Sequence, residues 1–257
     1  HFWVCNFGGA NGDLEAFSAK EAGAGFAVAH KEVFMVGLGN TDVEFGPDGK
    51  MYLSCFNNSG WYKQDLGNVY TLWSPETATA KGELLADTAR LLTTPLSDLD
   101  LPALDGALGH ADLRVRQRAQ FELARRDAKE ILTAASVQTE NRFKRLHGIW
   151  GLGQLSRKDE SPLASVIPLL GDSDAEVRAQ AAKVLSDSRK TVAGEALVNA
   201  LTDSSDRVKS FAAIGVGKCG IVTALPKLLE LLAANDNRDV FLRHACIEGM
   251  WYLNERE

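Results

Sequence analysis

Hydrophobic positions along the chain change their period once, near Ser74 and Pro75, and this change separates a β part from a helical part. Before this point, short aromatic and β-branched runs alternate with polar residues between glycines, which predicts about six strands in residues 1–75. After it, apolar residues recur with the 3.6-residue period of helices. The predicted fold class is therefore mixed and α-dominated, with an antiparallel β segment followed by an α-solenoid of about five repeats.

The β part contains a clear hairpin signal. Residues 42–45 and 50–56 are two alternating runs, and Gly46-Pro47-Asp48-Gly49 supplies the turn between them. Six strands standing alone would expose sheet edges, which closed β architectures avoid by repetition. We therefore expect residues 1–75 to form about one and a half blades of a partial β-propeller, followed by a linker helix at 76–95.

Residues 96–257 contain an internal repeat. Five basic residues align the units, with spacings of 29, 33, 31 and 34 residues: Arg116, Arg145, Arg178, Lys209 and Arg243. A small side chain follows each of them by three residues and an aliphatic residue or Met by seven, so these positions share one helical face. Leu- and Ala-rich segments between them predict a partner helix in every unit. The pattern Asp-x-x-Val-Arg-x-x-Ala-x-x-x-Leu resembles HEAT repeats, including their PBS-lyase-like variants.

The basic column and the polar residues four positions before it predict a structural ladder along the solenoid. Its members are Asp112, Arg116, Asn141, Arg145, Asp174, Arg178, Lys209, Asp239 and Arg243. The polar members suit helix N-caps, and each base is expected to pair with acidic caps of its own or a neighbouring repeat, as in the i,i+4 pair Asp174 and Arg178. The alternative is that the basic column binds an acidic partner along a groove of the solenoid.

Charge and cysteine content exclude several classes of function. The net charge is −6, and the helical part holds 24 basic and 26 acidic residues, so we expect no nucleic-acid partner. No apolar run approaches the roughly 18–20 residues that cross a bilayer, so no membrane span is expected. The four cysteines form no CxxC motif, and this excludes both a zinc ribbon and a CxxCH heme attachment site in this chain. Because His1 opens the chain inside an apolar run without an initiator Met, we expect a fragment of a longer protein.

Candidate chemistry is sparse, and no catalytic residue and no metal site are predicted. Asp42 could face a propeller channel, whereas Asp48 is a turn residue; Trp61 could line a ligand site in its polar loop, with blade packing as the alternative. His147 and His244 occupy different positions in their repeats and lack a metal-ligand spacing, so they are weak candidates for a metal or heme ligand. Whether Cys5 and Cys55 form a disulfide is left open.

Several segments together resemble a known family. They are residues 1–7, 24–26, 41–54, 60–61, 67–70, 145–153 and 239–244. On these segments the chain is similar to PVC-type heme-binding (CxxCH) proteins, also described as membrane-bound dehydrogenases. Such proteins carry a sorbosone- or glucose-dehydrogenase-like β-propeller, then HEAT repeats, then a cytochrome c-like domain. The resemblance implies a periplasmic or cell-surface location, heme c in the parent protein, and PQQ or calcium as further cofactor candidates.

Two functions from different classes stay open. In the first, the chain is a HEAT-repeat scaffold that binds a protein partner or neighbouring domains of the same chain, and needs no cofactor itself. In the second, it is part of a quinoprotein- or sugar-dehydrogenase-like oxidoreductase that passes electrons to a c-type heme domain absent from this chain. A phycobilin-lyase-like activity is a third option, because PBS-lyase repeats share the helix pattern, but the β part argues against it.

Overall fold

The computed structural model describes residues 2–6, 12–37, 39–56 and 67–254. The chain forms two compact units. One comprises His1–Glu21 and Phe26–Thr94, and the other comprises Ala22–Gly25 and Pro95–Glu257. We call them the β unit and the repeat unit and describe each by itself.

The β unit contains the six strands that the alternating pattern predicted. They are β1 (Phe2–Asn6), β2 (Asp13–Ala22), β3 (Gly25–Val36), β4 (Asn40–Phe45), β5 (Met51–Cys55) and β6 (Asn68–Leu72). They form two three-stranded sheets, in the orders β1-β2-β3 and β4-β5-β6. The predicted hairpin is confirmed, because β4 and β5 pair antiparallel and the amide of Gly46 donates to the carbonyl of Lys50 at 2.9 Å. Gly49 has φ +75°, a conformation that glycine adopts without steric cost.

A small core lies within the β unit. Its buried members are Leu14, Met51, Leu53 and Cys55, and Trp3 packs against them. Met51, Leu53 and Cys55 alternate with less buried residues along β5, as the period-2 pattern requires. A propeller blade has four strands, so within the described residues neither sheet is a complete blade.

Two helices follow the strands where the sequence suggested one linker helix. Helix α1 spans Pro75–Ala80, begins with a side-chain cap from Ser74, and ends at Lys81; α2 spans Gly82–Thr93. The break falls directly before Gly82, and glycine is a poor residue for continuing a helix. The difference is local, because both segments stay helical.

The repeat unit consists of five helix pairs, as the repeat predicted. The first helices of the pairs are α3 (Leu101–Ala107), α5 (Lys129–Val137), α7 (Leu163–Val166), α9 (Gly194–Ala200) and α11 (Leu225–Asn235). The second helices carry the basic column and are α4 (Leu113–Arg125), α6 (Arg142–Leu155), α8 (Ala175–Ser188), α10 (Asp206–Lys218) and α12 (Val240–Asn254). Short 3₁₀ turns lie at Leu96–Asp98, Ile167–Gly171, Thr191–Ala193 and Val222–Ala224.

The predicted small and large columns of the second helices lie in the core of the repeat unit. Ala119, Ala181, Ala212 and Cys246 of the small column are fully buried. At the remaining small position, a Cβ on Gly148 would stand 2.7 Å from the Ser136 backbone nitrogen, so glycine permits the close approach of α5 and α6. The core of the repeat unit therefore follows the sequence columns.

Candidate interaction surface of the repeat unit

Side-chain hydrogen bonds cap the N-termini of most second helices. The side chains of Asp112, Asn141 and Asp174 accept hydrogen bonds from backbone amides two or three residues further on, at 2.8, 3.1 and 2.9 Å. Asp239 Oδ1 accepts from two amides at the start of α12, at 2.8 and 2.9 Å. Ser205 stands at the start of α10 without a side-chain cap bond. Each cap satisfies backbone donors that the first turn leaves unpaired.

Two of the basic residues, Arg145 and Arg178, bind a carboxylate of the next repeat rather than a cap residue. Arg178 binds the carboxylate of Asp203 with Nε to Oδ2 at 2.7 Å and Nη2 to Oδ1 at 2.9 Å. Arg145 also donates two hydrogen bonds to one carboxylate, from Nη1 to Oδ1 and from Nη2 to Oδ2 of Asp172. The expected ion pair between Asp174 and Arg178 is wrong, since Asp174 instead accepts from Arg142 of the preceding repeat at 2.9 Å.

Asp172 and Asp203 are the ladder residues that the sequence reasoning missed. Each lies six residues before the next basic residue, and each also accepts a backbone amide two residues further on, from Asp174 at 2.8 Å and Ser205 at 2.7 Å. Burial raises the pKa of Asp203, but hydrogen bonds from Arg178 and Ser205 outweigh it, so the pKa of Asp203 lies below its usual value. The sequence signal that could have identified both residues is an acid six positions before the basic residue in two repeats.

The basic residues of the first, fourth and fifth repeats bind differently. Arg116 donates to the carbonyls of His110 and Ala111 at 2.7 and 2.8 Å, and its guanidinium lies 4.4 Å from the Phe143 ring centroid. Lys209 pairs with Asp206 of its own helix at 2.5 Å. Arg243 donates to the amide oxygen of Asn237 at 3.2 Å. Forward pairing to a carboxylate of the next repeat is therefore a feature of Arg145 and Arg178 among the basic column.

The second helices carry a second set of columns, on a stripe separate from the core columns. We define the repeat face as the positions −2, +2, +5 and +9 relative to the basic residue in the first four repeats. Its residues are Arg114, Arg118, Phe121, Arg125, Phe143, His147, Trp150, Gln154, Glu176, Gln180, Lys183, Asp187, Arg207, Phe211, Ile214 and Lys218. These spacings follow one stripe of each helix.

Polar contacts between neighbouring helices order the repeat face. Trp150 Nε1 donates to Gln180 Oε1 at 2.9 Å, and Arg207 Nε donates to Glu176 Oε2 at 2.8 Å. Two large apolar side chains on this face are about half exposed: Phe121 at 48% and Phe143 at 55%. Exposed aromatic rings on an ordered polar surface have the composition of a protein-interaction site.

His147 is a buried packing residue of this face. Its Nδ1 lies 2.7 Å from Gln120 Oε1, and its ring meets Trp150 edge to face at 4.8 Å between centroids. Burial, and secondarily the charge of Arg116, lowers the pKa of His147 to about 4. His147 is thus neutral at physiological pH, whereas His244 is exposed on α12 beside Glu248.

Of the two candidate ligand residues of the β unit, Asp42 lies within the described residues. Asp42 is exposed on β4, and its Oδ1 accepts from the amide of Val43 at 2.9 Å. Trp61 lies outside the described residues. Cys5 and Cys55 are free thiols, and Cys55 Sγ donates to Asn40 Oδ1 at 3.3 Å.

The described residues contain neither a candidate metal-binding cluster nor a candidate membrane-spanning helix. No three His, Cys, Asp or Glu side chains of the described ranges come together as a group that could hold a metal ion. None of the described helices is both long enough and apolar enough to span a bilayer.

Comparison with known families identifies the repeats. Residues 130–208 and 163–251 match the family model described as HEAT repeats. The chain thus contains HEAT repeats, as the repeat pattern indicated. No curated protein sequence matches the chain.

Among solved structures, the chain is similar to the complex of CpcE and CpcF of phycocyanin lyase from Nostoc sp. PCC7120. The identity is 19% and the TM-score 0.50, over 63% of this chain and 67% of that one. An engineered protein matches at 16% identity and TM-score 0.43, over 69% of this chain and 84% of its own. Human deoxyhypusine hydroxylase in complex with glycerol matches at 15% and 0.42, over 67% of both chains. These likenesses concern the fold.

Proposed function

We propose that the repeat unit is a protein-interaction scaffold and that a protein partner, or a neighbouring domain of the same chain, docks on the repeat face. The observation that carries the proposal is the pair of half-exposed rings, Phe121 and Phe143, on a surface ordered by contacts between repeats. Aromatic anchors on a preformed surface lose little conformational entropy when they are buried by a partner.

Site-specific photo-crosslinking in the source cells tests this proposal. A photoreactive phenylalanine analogue would replace Phe121 or Phe143, and crosslinked proteins would be identified by mass spectrometry. We expect the same one or few proteins from both positions.

Matched controls are Val192 and Val222, which are 53% and 54% exposed and lie in the 3₁₀ turns that precede α9 and α11. Crosslinking to the same proteins from these valines would show that the repeat face is not the docking surface. The absence of any recurring crosslink from Phe121 and Phe143 would remove the proposal.

A second proposal concerns the larger protein. In it, residues 1–75, 76–95 and 96–257 are the end of a propeller, a linker and a solenoid within a dehydrogenase-like oxidoreductase at the periplasm or cell surface. The supporting observation is the apolar character of β3, an edge strand whose Val28, Val33, Phe34 and Val36 are all about half exposed or more. A long apolar edge strand is suited to further β structure that covers it.

In that larger protein the electron carrier would be heme c in a following domain, with PQQ or calcium as cofactor candidates at the propeller. Asp42 and Trp61 are the residues of this chain proposed to approach such a site. The lyase activity of the CpcE–CpcF complex is not carried over, since a 19% identical fold likeness does not extend to chemistry.

Reading the gene on both sides of these 257 residues tests the second proposal. Propeller blades upstream and a CxxCH motif downstream are the expected result. Without both, the oxidoreductase proposal is abandoned, while the scaffold proposal stands on its own experiment.

A further inference from the structure

A polar groove of about 700 Å³ lies where the C-terminal ends of α6, α8 and α10 meet. It continues the repeat face, because Trp150 and Gln154 line it. Five basic side chains line it against one acidic side chain, Asp187. They are Arg157, Lys183, Arg189, Lys190 and Lys218. Five positive charges and one negative give the groove a formal charge of +4, in a chain whose net charge is −6.

Asp187 neutralises only part of this charge. Lys183 Nζ lies 2.6 Å from its Oδ2, and Lys218 Nζ lies 2.9 Å from its Oδ1. One carboxylate is therefore shared by two ammonium groups from neighbouring repeats. Burial raises the pKa of Asp187, but the hydrogen bonds from the two lysines outweigh it, so the carboxylate is ionised at neutral pH.

Arg157 and Lys190 have exposed side chains, and neither forms an ion pair within the described residues. Lysines and arginines in a last helical turn are favoured by the helix dipole, but that effect falls off within the turn. Arg157 lies two residues beyond the end of α6 and Lys190 two residues beyond the end of α8. Both charges therefore stand just past a helix C-terminus without a carboxylate partner among the described residues.

The groove also contains a hydrogen-bond acceptor without a donor. Gln154 Oε1 is buried in the groove wall and has no hydrogen-bond partner among the described residues. A buried carbonyl oxygen without a partner is costly, so an occupant that brings an N–H group would be stabilised there. Backbone amides of a polypeptide bring such donors, whereas carboxylates do not.

We propose that this groove binds an acidic segment of a polypeptide, with Asp or Glu carboxylates on the basic side chains and a peptide N–H directed to Gln154. The inference deepens the scaffold function and rests on it. The basic residues come from three separate helix ends, and this spread fits several carboxylates along a chain. Complementary charge across such a surface speeds association and selects the partner.

Fluorescence anisotropy with the full chain tests the proposal. The probe is a fluorescein-labelled ten-residue peptide of alternating Glu and Gly, and the neutral comparison peptide has Gln in place of Glu. We expect saturable binding of the Glu peptide only. Because exposed charges are screened, raising NaCl from about 50 to about 300 mM should weaken this binding roughly tenfold.

The groove variant is Arg157→Glu with Lys190→Glu, and we expect roughly tenfold weaker binding of the Glu peptide by this variant. Both side chains are exposed, so circular dichroism should show an unchanged fold. The matched control is Lys81→Glu with Lys227→Glu, which makes the same change in net charge at exposed lysines outside the groove and should bind within about twofold of wild type.

Equal weakening by both variants, or no saturable binding, overturns the proposal. Tighter binding of a ten-nucleotide oligothymidine than of the Glu peptide would assign the groove to nucleic acid instead. Competition by equimolar inorganic phosphate would assign it to a small anion. These outcomes are separate from those of the scaffold function, because crosslinks from Phe121 and Phe143 succeed or fail independently of Arg157 and Lys190.

Discussion

Arg178 and Asp203 form a two-hydrogen-bond ion pair that joins the third repeat to the loop between the two helices of the fourth. The two donor–acceptor distances are 2.7 and 2.9 Å, and the side chains are only 14% and 11% exposed. Arg178 also donates to the carbonyl of Asp172 at 2.9 Å, so one guanidinium ties the loops before α8 and α10 together. A planar guanidinium is suited to this bidentate geometry.

Arg178→Ala should destabilise the protein by about 2–3 kcal/mol, because it leaves a largely buried carboxylate without its partner. Urea unfolding followed by circular dichroism measures this loss. The control is Lys183→Ala on the same helix, whose pair with Asp187 is about half exposed and is worth about 0.5 kcal/mol or less. A double-mutant cycle of Arg178 and Asp203 with a coupling energy near zero would contradict the assignment.

Gly217→Ala should destabilise α10 against α12. A Cβ at Gly217 would stand 2.7 Å from the Cα of Gly249, and two backbones cannot give way as a side chain can. We expect a loss of about 1–3 kcal/mol in the free energy of unfolding. Gly106→Ala on α3 meets no atom within 4 Å and should have the opposite sign, a gain of about 0.5–1 kcal/mol from helix propensity. If both variants changed the free energy of unfolding in the same direction, the packing argument would be contradicted.

His147 should make the fold less stable as the pH falls from about 6.5 to about 4. Burial holds the folded-state pKa of His147 at about 4, while the unfolded chain has a pKa of about 6.5. Between these values only the unfolded state binds the proton, so acid favours unfolding by about 3 kcal/mol in total. His147→Gln should lose this pH dependence. NMR titration that shows His147 protonated near pH 6.5 in the folded protein would refute the prediction.

Cys246 should resist thiol reagents in the folded protein. Burial raises the pKa of Cys246 to about 11, so at pH 8 only about one molecule in a thousand carries the reactive thiolate. Labelling with a chromogenic disulfide, mapped by mass spectrometry, should modify the half-buried Cys5 first and Cys246 only on unfolding. Early modification of Cys246 would show that the small column opens in the native state.

The helical architecture was readable from the sequence because it depends on local periodicity. The small residue three positions after each basic residue, and the large one seven after, define one face of one helix, and neighbouring repeats of the same kind must bury that face together. The strands of the β unit were readable for the same reason, since Met51, Leu53 and Cys55 alternate with less buried residues.

Tertiary structure alone decided the partners of the ladder. Arg178 could be placed on its helix from the sequence, but Asp174 and Asp203 were both acids within reach of a long side chain. In the structure, Asp174 accepts a hydrogen bond from the amide of Glu176 and pairs with Arg142. Arg178 therefore pairs with Asp203. The basic groove likewise depends on how three helix ends meet, and residues as distant in sequence as Arg157 and Lys218 share it only because successive repeats stack.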